Sequence, residues 1–280
     1  MDRTGNRRLV EEARRWGTGA VGKARARLGT SSAAPIPTEW ERAWAARPRL
    51  RGWLHATALP VALAATTALA LRRERHRSAV AVYGAGLCAM LATSAGYHRL
   101  TRTEAQHRWS QPADHVMIFA AIAGSATPVA TAVLPPAVAK PAVASLWAGA
   151  AIGAFGRLYD RTHGTSYGAV AYLALGWSGI VLLPLVVRRH GVRAGALLTA
   201  GGVAYTVGAG LFAARKPNPF PEVFGYHEVW HTATLIGAAF HLAAIAEITR
   251  DGERSPEDED GATPATVIEL DLSRTAAELS

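Results

Sequence analysis

The sequence predicts an all-α integral membrane protein, a bundle of seven transmembrane helices, and three features of its 280 residues carry that prediction. Half of the residues are apolar and only 18% are charged, where a soluble domain carries about a quarter; the mean hydropathy is +0.10. Charge is segregated to the ends: residues 1–51 hold 12 Lys/Arg against 5 Asp/Glu, and residues 250–280 hold 3 against 9. The stretch between the tails, divided into spanning helices with short loops of roughly 28 residues each, gives about seven units.

The apolar segments fall near 52–71, 79–98, 113–134, 142–158, 167–187, 194–213 and 226–248. Each is about 17 to 23 residues, enough to cross a hydrocarbon core with some tilt. The breaks between them are RRERHR at 72–77, RLTRTEAQHRWSQP at 99–112, a Pro-rich stretch around Pro135, Pro136 and Lys140, RLYDRTHG at 157–164, RRHGVR at 188–193 and RKPNPFPEVFG at 215–225. The fourth segment is short and Ala/Gly-rich, which suits close helix packing as well as a weak span.

The division expected is a basic N-terminal tail over 1–50, a membrane domain over 51–249 and an acidic, disordered tail over 250–280. The first tail is broken by Gly, Ser and Pro up to Pro37 and reads as mostly disordered. Residues 38–47, TEWERAWAAR, predict a short amphipathic helix, with Thr38 as N-cap, Glu41 completing a capping box, and Trp40 and Trp44 on one face. That face fits either the membrane interface or the end of the bundle. Loop Lys/Arg counts do not decide orientation, at 7 against 8, so Arg42, Arg47, Arg49 and Arg51 beside the first helix decide it. They place the N-terminus in the cytosol, with the protein in the inner (plasma) membrane.

Several classes are excluded. The single cysteine, Cys88, lies in an apolar run and reads as a small buried hydrophobe, which rules out a disulfide scaffold or a cysteine-rich metal cluster. The net charge of +9 comes from 30 basic residues, 27 of them Arg, spread over tail and loops with no phosphate loop or nucleic-acid motif beside them. A membrane surface accounts for it better. The first long apolar segment starts only near Gly52, so no cleavable signal peptide is visible and insertion is expected to use the helices themselves.

Ionisable residues at membrane depth are costly and mark function. Of the carboxylates between the tails, Asp114, Glu228 and Glu247 fall in or beside predicted helices, as do His98, His115, His227, His231 and His241; His76, His107, His163 and His190 read as loop residues. His227 and His231 are four apart in HEVWH, which puts two imidazoles on one helical face as two ligands of one metal require. His98 closes the second span in SAGYH, with Ser94 four residues before it, and Asp114 opens the third span. Alternating spans bring the end of helix two and the starts of helices three and seven to one side of the membrane. Three neutral imidazoles then form a tetrahedral Zn2+ site with one position open for water, which Asp114 would orient or deprotonate and Ser94 would support. The competing reading is that these groups only tie helices together by hydrogen bonds.

His241 lies about 15 Å of helical rise beyond His231, too far to share an ion, and reads as a buried histidine with a hydrogen-bond partner. His115 points about 100° away from Asp114, so Asp114 is assigned to the site. HEVWH also fits the zincin string in which Glu is the general base. Against that reading, the third ligand would come from a separate motif, and Glu228 suits the N-terminal turn of a helix.

RGWLH at 51–55, SAGYH at 94–98, PADHVMIFAAIAGSATP at 112–128, LALGW at 173–177, GGVAYTVGA at 201–209 and above all FGYHEVWHTATLIGAAFH at 224–241 resemble the bacterial hemolysin III branch of the PAQR (progestin and adipoQ receptor) family. The resemblance runs in order over roughly residues 48 to 248. It implies a seven-helix bundle with a cytosolic N-terminus and a zinc ion held by His98, His227 and His231, with Asp114 reaching the bound water and Ser94 as the serine of the S-x-x-x-H motif. Its superfamily includes alkaline ceramidases, which implies hydrolysis of a lipid amide. The function expected is therefore a zinc-dependent hydrolase of an amide or ester bond in a membrane lipid. Two alternatives are a non-enzymatic membrane sensor or homeostasis protein with structural zinc, and a pore-forming cytolysin, the activity attributed to some bacterial members. No ring of polar residues recurs along several spans as an aqueous pore would need, and the N-terminal tail is too short to carry a hormone-receptor role.

Overall fold

A computed structural model describes residues 38–160 and 167–250. Among these residues the chain is helical throughout, with one isolated β-bridge between Phe220 and Phe224 and no strand. The helices are α1 (Glu39–Ala45), α2 (Trp53–Leu71), α3 (Arg77–Leu100), α4 (Glu104–Val133), α5 (Pro136–Asp160), α6 (Tyr167–Ser178) and, after a 3-10 turn over Gly179–Leu182, α7 (Leu183–Ala214) and α8 (Tyr226–Ile248). Among the described residues six stretches are long and apolar enough to cross a membrane, so this is a multi-pass membrane protein; the fifth stretch, Val170–Ala214, is 45 residues long.

The chain forms the short helix α1 as its capping box dictates: the Thr38 backbone N–H donates to Glu41 Oε2 at 2.7 Å and the Glu41 N–H returns to Thr38 Oγ1 at 3.2 Å. Trp44 is turned onto the bundle, its indole donating to the Thr101 carbonyl at 3.1 Å and its ring meeting Tyr97 and His107. Helix α4 begins nine residues earlier than the apolar pattern predicts, inside the expected 99–112 loop. Thr103 caps it and the Gln106 side chain accepts from the backbone N–H groups of Arg102 and Thr103, so a polar capping box starts the helix before hydrophobicity can signal it. His107, expected in a loop, therefore lies on α4. Helix α5 likewise starts at Pro136, where a proline without its own N–H is well placed, and its 25 residues make the shortest predicted segment an adequate span.

The break expected at 188–193 falls at Gly191, whose φ of 85° and ψ of 166° are non-helical and separate two helical pieces within α7. The two segments predicted there lie on either side of this kink, inside the one long apolar stretch. The core lies where α3 meets its neighbours α2 and α4 and where α8 closes on α7 and α2. Leu69, Val80, Tyr83, Leu91, Val133 and Ile245 fill it. Helices α3 and α4 approach closely because position 86 is glycine, where a Cβ would sit 2.7 Å from the Ala120 carbonyl oxygen. Tryptophan donors tie the outer helices on: Trp147 to Thr127 at 3.2 Å and Trp177 to Thr206 at 3.0 Å. The acidic C-terminal tail after Arg250, residues 1–37 and His163 lie outside the described residues.

Candidate metal centre

The segment ahead of α2 runs beside the segment ahead of α8, with the Arg49 and Leu50 N–H groups donating to the Glu222 and Val223 carbonyls at 2.9 and 3.1 Å. It then turns at Gly52, in the left-handed region at φ 79°, where a Cβ would lie 2.6 Å from His98 Cβ. These contacts bring the starts of α2 and α8 and the end of α3 to one end of the bundle. His98, in the last turn of α3, and His227 and His231, in the first two turns of α8, meet there. The nearest nitrogens, His98 Nε2 and His227 Nε2, are 3.2 Å apart, and donor atoms of all three rings lie within 4.8 Å of one another. His98 and His231 are buried and His227 half-buried.

This donor set fits a metal ion. Zn–N bonds of about 2.0–2.1 Å in a tetrahedron put ligand nitrogens about 3.3 Å apart. Imidazoles are ligands for first-row divalent metals, and three from the protein leave a fourth position open. Asp114 is buried on α4 with Oδ2 4.0 Å from His98 Nε2, and the buried Ser94 hydroxyl, one turn before His98, lies beside its carboxylate. All five residues singled out by spacing are brought together.

The residues set aside go elsewhere. Arg157 donates through Nε to His115 Nδ1 at 3.0 Å, and the Tyr172 hydroxyl bonds the His115 carbonyl at 3.2 Å, so His115 ties α4 to α5 and α6. His241 lies against Gly201 and meets the edge of Tyr205, a half-buried tie between α8 and α7. Glu228, fully buried, accepts from the Gly225 N–H at 2.8 Å and forms an ion pair with Arg51. The carboxylate of HEVWH is thus occupied in capping α8, not in serving the histidines.

Arginines line this end. Arg47 lies over the Trp44 ring at 3.1 Å and donates to the His98 carbonyl at 3.1 Å, satisfying an otherwise orphaned carbonyl at the C-terminus of α3. Burial, and behind it the neighbouring guanidiniums of Arg51, Arg102 and Arg99, lowers Arg47 to about 10, so it stays charged at neutral pH.

One residue at the centre was not singled out by spacing. His55, on the first turn of α2, is buried and lies flat on His231, with ring centroids 3.9 Å apart and planes 8° apart. RGWLH contains it, but a lone histidine near the start of a span has no partner at helical spacing to draw attention to it.

An all-helical multi-pass membrane protein with a buried three-histidine cluster and an adjacent carboxylate is the class that fold and site define. Residues 43–242 match the family described as haemolysin-III related, and the chain belongs to that family. It is 25% identical to Hemolysin-3 of Bacillus cereus over 196 residues, 68% of this chain and 86% of the relative. It is 27% identical to the Hemolysin-3 homolog of Bacillus subtilis (strain 168) over 159 residues, 56% of this chain and 71% of the relative.

Proposed function

We propose that this chain crosses the inner (plasma) membrane seven times from a cytosolic N-terminus, holds Zn2+ on His98, His227 and His231, and hydrolyses an amide or ester bond of a membrane lipid. The observation that carries the reading is the gathering of three imidazoles and the Asp114–Ser94 pair from three helices at one buried point. Membrane spans are expensive places to bury ionisable groups, and four converging ones with a hydroxyl beside them are a site more often than an accident of packing.

Zinc bound there would supply Lewis acidity toward a carbonyl and bring the pKa of water to about 7. Asp114 takes the proton of the attacking water and returns it to the leaving amine or alkoxide as the C–N or C–O bond breaks. Ser94 orients that carboxylate until Asp114 takes up the proton, after which its single O–H is released to donate to the oxyanion. The products are a fatty acid and the amine or alcohol. Exposed apolar side chains such as Val61, Leu63, Ile152 and Phe155 suit contact with acyl chains around the bundle.

Elemental analysis and a fatty-acid release assay test the reading together. Wild-type protein in detergent is expected to carry about one zinc per chain, and His227→Ala/His231→Ala to carry none. Asp114→Asn is expected to keep the metal and lose about 10²- to 10⁴-fold in release from ceramide-like or acyl lipids. Metal present with no release from any lipid would replace the hydrolase with a zinc-stabilised, non-enzymatic membrane protein. Dye leakage from liposomes that is indifferent to Asp114→Asn would instead align the chain with the lysis in its relatives' names.

A further inference from the structure

We infer that His55 is a positioning residue of the histidine centre, setting the plane in which His231 presents its ring to the metal; this rests on the metal reading above. A ligating imidazole is ordinarily oriented by a hydrogen bond from its far nitrogen to a carbonyl, carboxylate or water. His231 lacks a protein partner of that kind: its Nδ1 is buried without one. What does contact the ring is the face of His55, nearly parallel at 3.9 Å. A ring lying on a ring fixes a plane as a hydrogen bond would, because tilting either one opens a gap or makes a clash in a close-packed interior.

His55 is not a fourth ligand of the same ion. An imidazole lone pair lies in the plane of its ring, and the planes of His55 and His231 are offset and only 8° from parallel, so an ion in the plane of His231 lies out of the plane of His55. Nor do hydrogen bonds within the protein hold His55, since both of its ring nitrogens are buried without a protein partner. Its role therefore falls to its flat shape. Face-to-face packing is disfavoured between two rings of like charge distribution. It becomes favourable when a metal draws electron density from one of them, which is the state in which His231 needs to be held.

The test is metal affinity in the full-length protein in detergent, by zinc competition with a chromophoric chelator, together with the visible spectrum of the Co2+-substituted form. His55→Phe keeps a flat ring and discards the nitrogens; it is expected to bind within about threefold of wild type with an unchanged Co2+ spectrum. His55→Leu keeps the volume and discards the flat face; it is expected to bind ten- to a hundredfold more weakly, the usual range for losing an orienting partner, with an altered spectrum. His55→Ala provides the same comparison if the Leu variant fails to fold, judged by thermal unfolding of the metal-free proteins. Equal affinity in wild type and the non-planar variants overturns the inference and leaves the metal centre standing. Equal weakening in Phe and Leu overturns it in favour of the nitrogens. Wild type that binds neither metal removes the centre itself.

Discussion

Glu228 shows how a single side chain separates two chemistries written in the same string. In a zincin its carboxylate would face the metal as general base; here it has no exposure, accepts from the Gly225 N–H and pairs with Arg51. Removing one partner of a buried pair strands the other, at about 3–5 kcal/mol. Arg51→Met is therefore expected to destabilise more than Glu228→Gln, because it leaves a fully buried carboxylate without its cation, whereas the amide still caps α8. Metal content and turnover should survive Glu228→Gln when measured below its melting temperature. Thermal unfolding beside zinc content and turnover checks both points, and loss of turnover with the metal retained in a folded Glu228→Gln protein would restore the zincin assignment. The residues legible in the sequence, His98, His227, His231, Asp114 and Ser94, share a property: each is polar at membrane depth and has a partner at helical spacing or across a short loop. His55 has neither, and its place beside His231 comes from the close pass of Gly52 over α3, a tertiary contact with no sequence period.

At the scale of helices, the apolar segments fall on the six stretches long and apolar enough to span among the described residues, and the starts of α4 and α5 moved where polar chemistry sets them. Thr103 and Gln106 start α4 early, and Pro136 starts α5 early, because caps and prolines act through backbone hydrogen bonds that hydropathy does not register. Gly191 is the sharpest case. Its φ of 85° and ψ of 166° lie in a region open essentially to glycine alone, yet a Cβ there would meet nothing within 4 Å. Any cost of Gly191→Ala is consequently conformational. It is expected to be about 1–3 kcal/mol, read as a fall in thermal midpoint without loss of zinc, since the site is at the other end of the helices. A Thr103→Ala change should cost about 1 kcal/mol through loss of the cap. An unchanged midpoint in Gly191→Ala would mean that the chain straightens there at no cost.

For the whole molecule, the histidine cluster constrains the number of crossings. His98 ends α3 and His227 begins α8, and their nitrogens are 3.2 Å apart, so an even number of crossings separates them. Helices α4 and α5 supply two. Were Val170–Ala214 a single crossing, α8 would begin on the wrong side. That stretch of 45 residues would also extend about 67 Å at helical rise, over twice a hydrocarbon core of about 30 Å. Two crossings with a turn at Gly191 would satisfy both conditions and give the seven proposed above, with Arg188, Arg189 and Arg193 at the turn where interfacial cations belong. Single cysteines in a Cys88→Ser background test this with a membrane-impermeant thiol reagent on whole cells. With the N-terminus in the cytosol, Arg75→Cys and Arg189→Cys should label from outside, while Arg102→Cys and Glu222→Cys should label only after the membrane is opened. The reverse pattern would keep seven crossings and invert the protein. Labelling of positions 189 and 222 from the same side would leave six crossings, and with them a histidine cluster whose members could not meet.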